Sequence, residues 1–208
     1  MIRACLLDMG NVLIRFSHDK MCAQMGALCG KSAGDVRRLL IDSGLQWEFE
    51  RGRVSPEEFH FQFCAAAERD HAELELAALL AAGADIFEPQ PGMVELLDEL
   101  KSAGQRLVLF SNTCASHVEF VRREFDFLER FDALVLSYEV QAIKPEEKMF
   151  AAARAALGHP PEECFYTDDV PEYVREAREL GFDAEVFTGV EELRRQLERR
   201  GVLKQRVS

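Results

Sequence analysis

The chain has 208 residues, 48% hydrophobic and 30% charged, with a formal net charge of −12 at pH 7. That length buries a sizeable core and suits one domain with a large insert, or a medium and a small domain. The acidic balance argues against nucleic acid and anionic membrane as main partners, because both demand a basic face. A small anionic substrate in a locally positive pocket stays open.

Residues 2–7 form a short apolar run without helical gaps, which predicts a buried strand ending at Asp8. Arg3 and Asp8 interrupt that run and no small-residue cleavage pattern follows, so a secretory signal is not expected. No apolar run approaches the length of a membrane span. Cys5, Cys22, Cys29, Cys64, Cys114 and Cys164 form no C-x-x-C pair, which points to reduced thiols and a cytoplasmic protein.

Residues 17–87 contain no convincing strand. The stretches "DKMCAQMGALCG", "AGDVRRLLIDSG", "SPEEFHFQFCAAA" and "HAELELAALLAAGADIF" all read as helical. Ser55 suits a cap, Pro56 the first turn, and Glu58 stands three residues on from the serine. The region is too long for a connection. It is expected as a helical domain, 17–87, inserted into a core made of residues 1–16 and 88–208.

Beyond it, "PGMVELLDELKSAG" repeats apolar residues at Val94, Leu97 and Leu100 and stops at Gly104. Apolar runs predict strands at 106–110, 133–136, 164–166 and, more weakly, 184–187. Helical spacing falls between them. Val118, Val121, Phe125 and Leu128 share one face, as do Phe150, Ala153 and Leu157 before Gly158, and Val174, Ala177 and Leu180 before Gly181. Such alternation means an α/β fold: a Rossmann-like parallel sheet with helices on both faces. The "KQRVS" tail is expected to fray.

Ligands of open parallel sheets bind outside the carboxyl ends of the strands. The polar residues that follow the strands are Asp8, then Ser111 and Asn112, then Lys144, then Asp168 and Asp169. Three carboxylates at one rim repel unless a cation lies among them, and hard oxygen donors suit Mg²⁺. A lysine beside such a metal implies an anion between them, phosphate being the commonest, and an aspartate can attack phosphorus. Taken singly, Asp8 and the Asp168–Asp169 pair also suit helix caps, and Ser111-Asn112 suits a strand-to-helix turn. Lys144 is less easily dismissed. Pro145-Glu146-Glu147 predicts a helix start with Lys144 at the N-cap, where lysine is a poor cap and its charge opposes the positive helix end.

In this order, "DMGNV", "LFSNT", "KP" and "TDDVPEYVREARELG" resemble the four motifs of the haloacid dehalogenase-like hydrolase superfamily. The helical insert resembles that superfamily's cap domain. The D-x-G-N-V first motif and "FERGRVSPEEF" in the insert are similar to a subgroup that includes bacterial α-D-glucose-1-phosphate phosphatases. The resemblance runs from residue 2 to about residue 187. It implies a Mg²⁺-dependent phosphatase acting on a small phosphorylated metabolite, with a monomer as the default. Asp8 would be the nucleophile and a metal ligand, and Gly10 would offer its carbonyl to the metal. Ser111 and the next backbone amide would hold phosphoryl oxygens, with Asn112 nearby. Lys144 would neutralise the transferring group, and its bond to Pro145 would be cis. Asp169 would bind the metal, with Asp168 supporting from beside it.

The pattern departs from the superfamily in two places. Most of its phosphatases carry a second aspartate two residues after the nucleophile, and here Gly10 stands there. General acid–base help is worth about 10²–10⁴-fold in rate, although positioning and charge neutralisation carry most phosphoryl transfer. The expected remedies are a substrate whose leaving group needs little protonation, such as a sugar 1-phosphate or an acyl phosphate, or proton supply by His18, for which a solvent-exposed hinge residue is the favoured reading. Tyr173 stands where the superfamily often has asparagine. Trp47, Phe49 and Glu50 suit the cap side of the pocket, but for Trp47 cap core is the favoured reading. His60, His71, His117 and His159 show no metal spacing and read as ordinary helix or loop residues. Two other functions remain open: a 2-haloacid dehalogenase, against which the Asp168–Asp169 pair argues, and a weakly active or non-catalytic binder of phosphorylated ligands.

Overall fold

The structure is a computed structural model and describes residues 1–205; residues 206–208, the end of the tail expected to fray, lie outside the described residues. The chain begins with β1 (Ala4–Leu7) and β2 (Ile14–Phe16) and then enters α1 (His18–Cys29), α2 (Ala33–Arg37), α3 (Leu45–Glu50), α4 (Pro56–Ala67) and α5 (Leu76–Ala84). It returns through β3 (Phe87–Pro89), α6 (Met93–Ser102), β4 (Arg106–Ser111), α7 (Ala115–Glu124), β5 (Ala133–Leu136) and α8 (Ser137–Val140). It ends with α9 (Glu147–Leu157), β6 (Cys164–Asp168), α10 (Pro171–Glu179), β7 (Asp183–Val186) and α11 (Val190–Arg199).

Strands β5-β4-β1-β6-β7 lie in that order in one parallel sheet. The period of two explains why their sequences are apolar throughout. Cys5, Leu7, Leu107, Leu109 and Phe165 enter one hydrophobic cluster, while their neighbours Leu6, Val108, Phe110, Cys164 and Tyr166 enter the other. The chain winds from β1 outward to β4 and β5, then returns to β6 on the other side of β1. Where the winding reverses, the carboxyl end of β1 opens into a crevice.

Several local expectations need correction. The insert is bracketed by β2 and β3, an antiparallel ribbon in which Phe16 pairs with Phe87. The sequence reading found no strand there because three residues show no alternation. Helix α3 was also missed: it is short and starts behind Gly44 at φ 88°. A π-helical turn, Arg38–Asp42, continues α2. Ser55 caps α4 by accepting the Glu58 N–H, but the Glu58 carboxylate is taken by Gln62. The chain turns at Ile143–Glu146, where the Glu146 N–H donates to Ile143 O, so Glu146 caps α9 and Lys144 does not. Helix charge therefore does not explain the lysine. The Lys144–Pro145 peptide is cis. All six cysteines are free and buried. Among the described residues, no helix is long and apolar enough to cross a membrane.

Candidate active site

Lys144 is the hub of the crevice. Its Nζ lies 2.6 Å from Asp8 Oδ1, 2.6 Å from Asp168 Oδ2 and 3.0 Å from the Phe110 carbonyl. Its backbone is fixed from the end of β4: the Lys144 N–H donates to Asn112 Oδ1 at 2.8 Å, and Asn112 Nδ2 donates to Lys144 O at 3.4 Å. Asn112 thus acts on the lysine loop. Ser111 is buried beside it, and its hydroxyl donates to Asn112 O at 3.3 Å.

The three aspartates come together as the strand ends require. Asp8 continues β1, its N–H donating to Thr167 O. Asp168 is fully buried and surrounded by donors: Lys144 Nζ, Tyr166 Oη at 2.5 Å, and the Val170 N–H at 2.9 Å on its other oxygen. Asp169 is more open and accepts from Asn11 Nδ2 at 3.0 Å. Asn11 adopts φ 55°, a left-handed conformation that asparagine tolerates better than most residues. Asp8, Asp168 and Asp169 each offer a carboxylate oxygen within 4.8 Å of the others.

Burial pushes the Asp8 carboxyl up to about 7, against the pull of Lys144 and with the repulsion of Asp168 and Asp169 added. Burial also raises Asp169. Lys144 loses hydration too, but Asp168 and Asp8 outweigh that and hold its ammonium charged. Among the described residues one lysine faces three acids in this cavity, which leaves a negative site, and a hard divalent cation fits this donor set.

Gly10 lies against Phe16. A Cβ added at Gly10 would stand 2.8 Å from Phe16 Cε1 and 3.1 Å from Cδ1, so the aromatic ring fills the space a longer side chain would use. Asp8, Lys144, Ser111, Asn112, Asp168 and Asp169 all line one cavity of about 190 Å³. The insert supplies the opposite wall, with His18, Trp47 and Glu50.

Some placements differ from the sequence reading. Trp47 lies on the cavity wall and is 38% exposed, so it is not cap core. Phe49 is core, stacked on Phe59 at 4.4 Å, and does not line this cavity. His18 packs edge-on against Phe16 and Trp47 on the wall, and burial lowers its imidazole pKa. His117, read as ordinary, is buried in the same wall, where its Nε2 donates to Gly83 O at 3.2 Å. Tyr166 and Asn11 were assigned nothing, yet each holds an aspartate.

Comparison with known proteins matches this geometry to a family. Residues 2–181 match the model of the haloacid dehalogenase-like hydrolases. A predicted hydrolase of that family from Porphyromonas gingivalis has the same fold with a TM-score of 0.81 at 26% identity, over 95% of this chain and 98% of that one. An enzyme of the family from Bacteroides thetaiotaomicron, solved with magnesium and inorganic phosphate, gives a TM-score of 0.80 at 23% identity, over 91% of this chain and 96% of that one. Phosphoglycolate phosphatase of Caulobacter vibrioides is 31% identical over 131 residues, 60% of this chain and 51% of that relative. The chain spans between 27% and 51% of the length of three curated relatives it matches. With its acids and lysine gathered at the carboxyl edge of a parallel sheet and its match extending from β1 through α10, the chain belongs to the haloacid dehalogenase-like hydrolases.

Proposed function

We propose that this protein hydrolyses a small phosphate monoester through an aspartyl phosphate on Asp8. The observation that carries this reading is the Lys144 ammonium held 2.6 Å from both Asp8 and Asp168 at the floor of a small cavity. Asp8 Oδ attacks phosphorus, the bond to the ester oxygen breaks, and water then hydrolyses the acyl phosphate. Lys144 aims the nucleophile and offsets charge on the transferring group. Ser111 and the following backbone amide hold phosphoryl oxygens. Mg²⁺, held by Asp8, the Gly10 carbonyl, Asp169 and Asp168, would neutralise the acids and the phosphoryl oxygens. Residues 17–87 serve as the cap that covers the substrate. The finer reading is a sugar 1-phosphate, supported by the D-x-G-N-V motif and by "FERGRVSPEEF" in the cap.

Release of phosphate from para-nitrophenyl phosphate in Mg²⁺, lost on chelation and abolished in Asp8→Asn, is the expected result. Equal turnover by the variant would refute the nucleophile. The absence of a second acid at Gly10 also suits a 2-haloacid dehalogenase, whereas three clustered carboxylates do not. Chelator-insensitive release of halide from a 2-haloacid would decide for that reading.

A further inference from the structure

Gly10 carries no acid and the Phe16 ring crowds the space beside it, so a leaving oxygen that needs a proton must take it from elsewhere on the cavity wall. Outside the Asp8–Asp168–Asp169 cluster, one other carboxyl group among the described residues lines the cavity, that of Glu50 on α3. Glu50 is buried, and its Oε1 accepts from Gln46 Nε2 at 2.9 Å. Its Oε2 has no hydrogen-bond partner among the described residues, and neither oxygen belongs to an ion pair.

Three contacts fasten this glutamate to the core. The Ser137 hydroxyl lies 2.6 Å from the Glu50 carbonyl and accepts the Thr113 N–H at 2.8 Å, tying α3 to the segment that follows Ser111. Arg51, the next residue, pairs with Glu146, two residues beyond Lys144. Gly52 then packs so tightly that an added Cβ would stand 2.2 Å from Tyr138 O. The end of α3 is thus clamped to both core loops that build the floor of the site.

From this placement we infer that Glu50 is the acid and base of the reaction, performing from the insert the task that Gly10 cannot. The inference rests on the phosphatase reading. In the first step, Asp8 Oδ bonds to phosphorus while the ester P–O bond breaks, and the Glu50 carboxyl gives its proton to the departing alkoxide. In the second, a water oxygen bonds to phosphorus while the P–O bond to Asp8 breaks. Glu50 carboxylate takes the water proton and is ready for the next cycle.

The surroundings agree. Burial raises the Glu50 carboxyl above the ordinary glutamate value, against the pull of His117 and the Gln46 bond, so it carries a proton further toward neutral pH. The Cys114 thiol nearby is pushed up to about 12, chiefly by burial, and stays neutral. His18 and His117 are lowered by burial, with mutual repulsion further lowering His18, so neither is a ready acid at pH 7.

The test is Glu50→Gln in the full chain with Mg²⁺, using para-nitrophenyl phosphate and a primary alkyl phosphate. The expected kcat/KM falls about 10²-fold or more on the alkyl ester, within the range of lost general acid catalysis. On the aryl ester, whose leaving group needs no proton, it stays within roughly threefold. Loss of the base also makes the phosphoenzyme accumulate, giving a stoichiometric burst of nitrophenol before slow turnover. An equal fall on both esters, no fall, or no burst would overturn the proposal. If the variant does not fold by circular dichroism, the wild-type pH profile decides. Its kcat/KM on the alkyl ester should drop on the alkaline side with no matching limb on the aryl ester, and parallel profiles would overturn the role. Failure of the phosphatase reading is seen separately, as wild-type protein that releases no phosphate from either ester.

Discussion

Glycine at position 10 and phenylalanine at position 16 form one unit. The ring fills the volume of the missing side chain, so substitution at Gly10 alone meets Phe16 Cε1 at 2.8 Å. Glu50 has the reverse character: its place stores an unfavourable charge. Its folded-state pKa lies above the ordinary value of 4.5 because burial disfavours the carboxylate. Well below pH 4.5 both folded and unfolded chains are protonated there, and the shift has no effect on stability. As the pH rises past that value, the unfolded chain releases a proton that the folded chain retains, so Glu50 increasingly destabilises the fold until its folded carboxyl ionises. Glu50→Gln keeps the bond from Gln46 and removes the titration. The variant should therefore melt higher than wild type at pH 7–8 and level with it well below pH 4.5, as followed by thermal denaturation across pH. A lower melting temperature at neutral pH would show that the carboxyl stabilises the fold instead.

Among the elements, α3 and α8 decide how the insert meets the core. Ser137 is completely buried, and its hydroxyl serves Thr113 N–H on one side and the Glu50 and Thr113 carbonyls on the other. Ser137→Ala leaves that N–H buried without an acceptor, which costs about 1–3 kcal/mol. Urea titration should show the unfolding free energy lowered by that amount, read as a lower midpoint at an unchanged m value, and an unchanged midpoint would mean that the junction relaxes at no cost. This junction also marks where the sequence stops being readable. Sheet strands buried on both faces announce themselves as apolar runs, and Asp8, Ser111, Asn112, Lys144, Asp168 and Asp169 follow from asking what comes after each run. Tyr166 was legible by the same logic, since it stands two residues before Asp168 on one strand and so shares its face. Glu50 was expected on the cap side of the pocket and lines it, whereas the place of His117 was not legible, because no local period encodes how one helix docks against a distant loop. The second argument for Lys144, a conflict with a helix cap, does not hold: its charge is placed by Asn112 and by two aspartates, not opposed by a helix.

At the scale of the whole molecule, charge and metal are linked. The chain carries a formal net charge of −12 and gathers three carboxylates around one lysine in its interior. A divalent cation bound there relieves repulsion that only the folded state creates, so it must stabilise folding by mass action. At a Mg²⁺ concentration near 100 times Kd the gain is about 2.7 kcal/mol. For a chain of this size, each kcal/mol raises Tm by about 2–4 °C, so a rise of roughly 5–10 °C is expected. Screening of the general negative charge would also raise Tm, but sodium chloride at equal ionic strength reproduces that part alone. Asp169→Asn separates the two effects. It removes the most open of the three acids while leaving the Lys144 contacts with Asp8 and Asp168 in place. The variant should keep the response to sodium chloride and lose most of the Mg²⁺ increment. It should melt no lower than wild type in chelator, because one repelling carboxylate is gone. A wild-type rise that sodium chloride matches in full, or an Asp169→Asn protein that responds to Mg²⁺ as wild type does, would place the cation elsewhere and leave the three acids without their counter-charge.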